Sequence, residues 1–410
     1  MDTTPLDPEP APPPDPFKAK QAQDILGYIP HALGFVPAES AVLISLTGRR
    51  LGATLRLDLP RHRDADTLTG FADAAAGYLR RHRAADSSLL VIYTAAGWDG
   101  TPPAYAVLAH HLLAGLARAG LPVRDGWVVG PRHWRGLYCT DPQCCPDPGH
   151  STDRIAESVL NAEMIYRGSQ VAASPEAALG LPEAVPGWDR ERLRTGVAEF
   201  AGNFTGNWTH PDTFRRTLGC WEREVTGGGL PEQDMAAFLL ASLECTGVRD
   251  ALVVQVCLGF DAAYGGALGS GLLTAPRPGT GFPAGTGTGL PEWEPDRSPG
   301  EYGSGFARIL TGSTASPPDW GRVDAAAKLL ASLYTAAEAT PRAACGTILA
   351  WLEWARARGS RAQSMVDAVL GECADYRLAV LIHGLLASGV LPEWSFDPDT
   401  AWPGTAPRAA

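Results

Sequence analysis

The chain contains no Gly-x-Ser-x-Gly elbow, no His-Glu-x-x-His pair, no Walker loop and no Gly-x-Gly-x-x-Gly turn. Without them no reaction can be named from motifs, and whether the protein is an enzyme stays open. Long apolar runs are also missing. The longest, Ala251 to Phe260, is interrupted by Gln255 and falls far short of the ~20 residues that a membrane helix needs, so no membrane association is expected. The first 16 residues are acidic and crowded with proline. They lack the cationic start and apolar stretch of an export signal, and residues 1–20 are expected to form a disordered tail. A cytoplasmic, reducing setting follows as an expectation. There, the eight cysteines read as thiols, metal ligands or redox centres rather than as a disulfide framework.

Charge is scarce as well. Charged residues make up 19% of the chain, and the formal net charge is −11. An acidic chain repels a phosphate backbone unless a local basic stripe overrides the average. The densest basic runs, Arg61-His62-Arg63 and Arg80-Arg81-His82-Arg83, flank a helix and read as solvated helix ends. Nucleic acid is therefore not the expected partner. The length, 410 residues, exceeds one ordinary core and suits two or three domains.

The periodicity that is present defines an α/β domain over residues 24–175. Ala41 to Leu46 is a buried-type strand, and Gly48-Arg49-Arg50 turns it. Leu51 to Leu59 then alternates, with Leu51, Ala53, Leu55, Leu57 and Leu59 on one face, completing a hairpin. Asp64 or Asp66 caps a helix carrying Leu68, Phe71, Ala75, Tyr78 and Leu79. Ser88 to Thr94 is a core strand, Tyr105 to Ala119 an amphipathic helix, and Val123 to Cys139 a second hairpin. The order β-β-α-β-α-β-β predicts one mixed sheet with helices packed on it.

Helices are predicted beyond it. Asp153 to Gly168 reads as helical, and helix follows helix over 186–260, although Leu252 to Phe260 is ambiguous between strand and buried helix. Residues 265–305 are dense in Gly, Pro, Thr and Ser, the composition of a linker and the clearest domain boundary in the chain. An all-α module over 320–394 follows, then a tail over 395–410. Within the module, Cys345, Ile348, Leu349, Leu352 and Ala355 share one helical face. The succession of helices resembles tetratricopeptide-like repeats as much as a plain bundle.

The most specific constellation is Cys139-x4-Cys144-Cys145-x4-His150, with Pro142, Pro146 and Pro148 interleaved. Proline fixes φ and holds such a loop in a defined shape. Three thiolates and one imidazole are a donor set that would close a tetrahedral zinc site. The spacing departs from zinc knuckles, because adjacent cysteines point apart in an extended chain and converge only where the backbone folds back. Packing thiols, a metal site, a redox pair and a nucleophile all remain open. Arg56 and Asp58 form a polar face opposite Leu55, Leu57 and Leu59, read either as a solvated surface or as the rim of a cleft at the sheet end. Arg249-Asp250 reads as a helix-end ion pair, His110-His111 as a poor metal pair, and His383 as a core or rim histidine.

Several of these segments together resemble a known family. Ile25-Leu26-Gly27-Tyr28-Ile29-Pro30-His31-Ala32-Leu33-Gly34-Phe35-Val36-Pro37-Ala38-Glu39-Ser40, followed by an apolar strand, is similar to the opening of the actinobacterial family called domain of unknown function 4192. Arg56-Leu57-Asp58-Leu59-Pro60 resembles its second signature, and Tyr138-Cys139-x4-Cys144-Cys145-Pro146-x2-Gly149 its third. Val248-Arg249-Asp250 and the helices from Leu349-Ala350-Trp351 to Leu391-Pro392 resemble its later part. The similarity runs from about Asp24 to Trp394. Val36 departs from the polar residue common there. The resemblance implies a cytoplasmic actinobacterial protein and a shared role for the cysteines, Arg56 and Asp58, but no reaction. Two functions are compatible with the sequence. One is an interaction, scaffold or sensor protein that docks a protein partner. The other is an enzyme or small-ligand protein with a site near Cys139, Cys144, Cys145, Arg56 and Asp58.

Overall fold

In a computed structural model of the chain, residues 19–96, 105–273 and 298–404 are described below. The chain divides into two compact units, with the boundary between Ser174 and Pro175. The predicted tail over 1–20 falls almost wholly outside the described residues.

The first unit is a six-stranded mixed sheet. Its strands are β1 (Ser40–Thr47), β2 (Arg50–Asp58), β3 (Ser87–Tyr93), β4 (Val123–Val129), β5 (His133–Gly136) and β6 (His150–Ser151). They lie in the order β2-β1-β3-β4-β5-β6. Only β3 and β4 run parallel, joined through helix α3 (Ala106–Arg118); every other pair is antiparallel. β1 and β3 are buried along nearly their whole length, as strands covered on both faces must be. On one face Ala41, Leu43, Leu90, Ile92 and Val128 pack against α2 (Ala65–Leu79) and α3. On the other, Val42, Ile44, Val91, Tyr93 and Trp127 pack against Leu26 and Ile29 of α1 (Ala22–Leu33). This is the mixed α/β architecture that the alternation predicts.

The hairpin differs from the simple alternation at one point. Leu55 and Leu57 pack on the α2/α3 side, but Leu51 packs on the α1 side. The register shifts between Ile44 and Leu46. Such a bulge adds one residue to a strand and turns everything beyond it to the opposite face. The expected helix over 153–168 is divided into α4 (Asp153–Ala156) and α5 (Val159–Tyr166), because the Ser158 side chain caps α5 through the Asn161 N–H.

The second unit is helical. It comprises α6 (Arg190–Asn203), α7 (Pro211–Gly227), α8 (Gln233–Ser242), α9 (Thr246–Leu258), α10 (Phe260–Gly269), α11 (Pro299–Thr311), α12 (Trp320–Ala336), α13 (Ala339–Ala355), α14 (Gly359–Glu372) and α15 (Arg377–Ala387). The ambiguous stretch Leu252–Phe260 lies in α9 and the start of α10. Every residue from Ala251 to Cys257 is buried, and full burial erases the polar face that marks an amphipathic helix. Arg249 and Asp250 lie inside α9, paired at 2.7 Å, and Arg249 also donates to the Tyr376 hydroxyl at 3.2 Å.

The Gly/Pro-rich stretch over 265–305 does not separate two cores. Its ends belong to α10 and α11, which pack together. Gly265 and Gly266 face the rings of Tyr302 and Phe306 so closely that any Cβ would collide, so glycine here serves helix packing rather than flexibility. Residues 274–297 of that stretch lie outside the described residues. One hydrophobic cluster runs from Leu193 through Trp394. The chain after 395, expected as a tail, is held to it as far as Trp402. Trp320 donates to the Thr400 carbonyl at 3.2 Å, and Trp402 donates to Asp324 at 3.2 Å. From α12 to α15 each helix packs on the next. Among the described residues no helix is long and apolar enough to cross a membrane.

Candidate functional site: a three-thiol loop

The loop between β5 and β6 carries the cysteines. Asp141 shapes it from within. Its carboxylate accepts from the Gln143 N–H at 2.8 Å, and its carbonyl accepts from the Cys145 N–H at 2.8 Å. That second bond closes a single helical turn. Successive side chains on such a turn diverge by about 100° rather than the ~180° of a strand. This is the backbone fold that adjacent Cys144 and Cys145 need in order to face one centre.

They do face one centre. The sulfurs of Cys139, Cys144 and Cys145 all lie within 4.8 Å of one another. Cys144 is exposed, Cys139 partly buried and Cys145 buried. The Gly136 N–H points at the Cys145 sulfur over 3.4 Å, and a Cβ on Gly136 would stand 3.0 Å from that of Cys139. Gly149 has φ +138°, and a Cβ there would meet the Trp134 carbonyl at 2.7 Å. Glycine is therefore required at position 149, and Gly136 leaves little room for a larger residue at the other end of the loop.

His150 is not in the sulfur group. The Arg154 guanidinium donates to its Nδ1 at 2.9 Å, which leaves the proton on Nε2. Nε2 then donates to the carbonyl of Cys144 at 2.7 Å, and the ring lies 4.6 Å from that of Trp134. The imidazole thus braces the turn that carries Cys144 and Cys145, with both nitrogens in use. Sequence spacing shows His150 as a donor beside the cysteines but does not reveal Arg154 or the carbonyl that occupy it. Gly136, Asp141 and Arg154 were not singled out by the sequence. The one available signal was Asp141-Pro142, a turn-opening pair four residues before Cys145.

The thiols are electrostatically unequal. A backbone hydrogen bond at Asp141, then the neighbouring Cys145 and Cys144 thiols, hold Cys139 below the ordinary cysteine value. Cys144 is pushed up to about 11, because its proton is shared with Cys139 and a thiolate there opposes a second charge. Cys139 therefore ionises more readily than Cys144, which keeps its proton at neutral pH in the metal-free loop. Chemically the arrangement offers a soft donor set. A tetrahedral zinc ion with Zn–S bonds of ~2.3 Å holds its sulfurs about 3.8 Å apart, a spacing compatible with this cluster.

Arg56 and Asp58 lie elsewhere. Both are on β2, at one edge of the sheet, and β1, β3 and β4 separate them from β5. Four strand spacings amount to roughly 19 Å. The Arg56 guanidinium pairs with Asp58 at 2.5 Å, donates to Ser40 Oγ at 3.3 Å and stands 5.7 Å from the Phe35 ring centre. The structure thus brings the three sulfurs together but does not bring Arg56 or Asp58 to them. His383, expected in a core or rim, is exposed on α15.

Fold and site together define a mixed α/β domain with a convergent thiol loop, followed in the chain by a helical unit. The chain belongs to the family described as Domain of unknown function (DUF4192), whose match covers residues 23–268. The match takes in the whole sheet and the helices through most of α10; the similarities noted around Leu349 and Leu391 lie beyond it. No curated protein and no solved structure matches the chain.

Proposed function

We propose that the protein is a cytoplasmic metal-binding sensor or scaffold protein, whose loop at Cys139, Cys144 and Cys145 takes a zinc-class ion and whose helical unit engages a protein partner. One observation carries the metal reading: three sulfurs, not two, converge within 4.8 Å. A redox pair alone needs two. Packing thiols need no common centre and would not leave Cys144 exposed. With His150 occupied by the Cys144 carbonyl and Arg154, the fourth position falls to water or an incoming ligand. That is an open site rather than a closed structural one. The succession α12 to α15, each helix packed on its neighbour, supports the partner-binding reading, since stacked helical pairs build extended docking surfaces.

The test is elemental analysis of the protein purified under reducing conditions. About one equivalent of zinc is expected in the wild type and a large loss in Cys139→Ser. Wild-type protein that is folded yet free of bound metal after zinc loading overturns the reading.

A further inference from the structure

The three thiols differ in access, and that difference selects a pair. Cys144 is exposed and Cys139 partly so, while Cys145 is only 6% exposed, with the Gly136 N–H against its sulfur. Four residues lie between Cys139 and Cys144, so a bond between them closes an ordinary small loop. A bond between adjacent Cys144 and Cys145 would demand a strained ring. We infer that Cys139 and Cys144 form an oxidative modification site for hydroperoxides, closing to a disulfide while Cys145 remains a thiol.

The chemistry balances with the hydroperoxide as sole oxidant. The sulfur of one thiol attacks the terminal peroxide oxygen. An S–O bond forms, the O–O bond breaks, and the remaining oxygen leaves as alcohol, or as water when the oxidant is hydrogen peroxide. The attacking sulfur, now a sulfenic acid, has lost two electrons. The second sulfur attacks it, the S–S bond forms, and hydroxide departs with the second thiol's proton as water. Two thiols and one hydroperoxide thus give one disulfide, one alcohol and one water. A disulfide needs ~2.05 Å between sulfurs, against a present separation of at most 4.8 Å. The approach must come from the irregular part of the loop, because Gly136 and His150 at its ends are held in the sheet. Cys145 would have to leave its buried position to compete.

The consequence for metal rests on the reading given above; the choice of pair does not. A Cys139–Cys144 disulfide removes two of the three sulfur donors, and the single remaining thiolate does not retain zinc. Oxidation would then release the ion.

The experiment uses the full chain, zinc-loaded and, in parallel, stripped of metal, titrated with hydrogen peroxide. Zinc release is read with a chromophoric chelator. Disulfide position is read by differential alkylation and fragmentation of the peptide spanning residues 136–154. The expected product is a Cys139–Cys144 disulfide, formed equally in Cys145→Ser and absent from Cys144→Ser and Cys139→Ser, with zinc release tracking disulfide formation in the loaded wild type. Circular dichroism confirms that each variant is folded. A disulfide involving Cys145 in the wild type, or oxidation to sulfinic acid with no disulfide, overturns the proposal. If the disulfide forms in protein that never binds zinc, the metal reading fails and the modification site stands. If zinc binds and no disulfide forms, the reverse holds.

Discussion

At the residue scale, the loop makes distinct demands on each side chain. The cysteines were legible because three thiols and an imidazole fall within twelve positions. The brace was not legible, because it depends on a backbone carbonyl and on Arg154, neither of which announces itself by spacing. His150→Ala should therefore weaken zinc affinity by about 10–100-fold, the usual effect of removing a group that orients ligands, while stoichiometry at saturating zinc is retained. Isothermal titration would separate this from the loss of stoichiometry expected of a ligand. Gly149→Ala should be worse than its size suggests. Its φ of +138° and the 2.7 Å approach to the Trp134 carbonyl force the loop entrance to move. Metal affinity and thermal stability should both fall, which competition with a chelator and calorimetry would show.

Elements were legible where one face is polar and the other is not. The strands from Ala41 to Val129 and the helices flanking them follow from alternation and caps; Asp64 accepts the Thr67 N–H at 2.9 Å, as a helix start requires. Legibility failed where burial is complete, as in α9, and where glycine serves close packing, as in α10. Glycine also serves close packing at Gly115, in a helix that was legible. It lies on α3, and a Cβ there would stand 2.9 Å from that of Ala72 on α2. Gly115→Ala should cost about 1–3 kcal/mol through overpacking, read as a lower denaturant midpoint. In the helical unit, Arg322 holds Glu222 with two bonds of 2.7 Å, and Gln255 adds a third. Burial works against the Glu222 charge, but these partners overcome it and hold the carboxyl below the usual glutamate range. Because the folded chain favours the ionised form, this contribution is full above the ordinary glutamate pKa and is lost as pH falls through the lowered value. Glu222→Gln should therefore destabilise at pH 7 by about 2 kcal/mol, and the gap from wild type should narrow on acidification. Denaturant melts from pH 7 down to pH 3 would reveal this convergence.

On the scale of the whole molecule, length and composition suggest several domains, among them an α/β domain over 24–175 and a linker over 265–305. Composition marks a boundary in the Gly/Pro-rich stretch, and the packing of the described residues divides the chain at Ser174/Pro175. Sequence signals flexible chemistry at 265–305, yet cores are defined by which apolar faces meet, and α10 and α11 meet within one cluster. The thiol loop belongs wholly to the first unit. A fragment ending at residue 174 should accordingly bind zinc with the stoichiometry of the full chain.

A metal role for the loop depends on three sulfurs sharing one ion, and X-ray absorption at the zinc edge of the loaded full chain tests this most directly. The predicted first shell contains three sulfurs at ~2.3 Å and one lighter atom. A shell of nitrogen and oxygen alone, or one with a single sulfur, would contradict it.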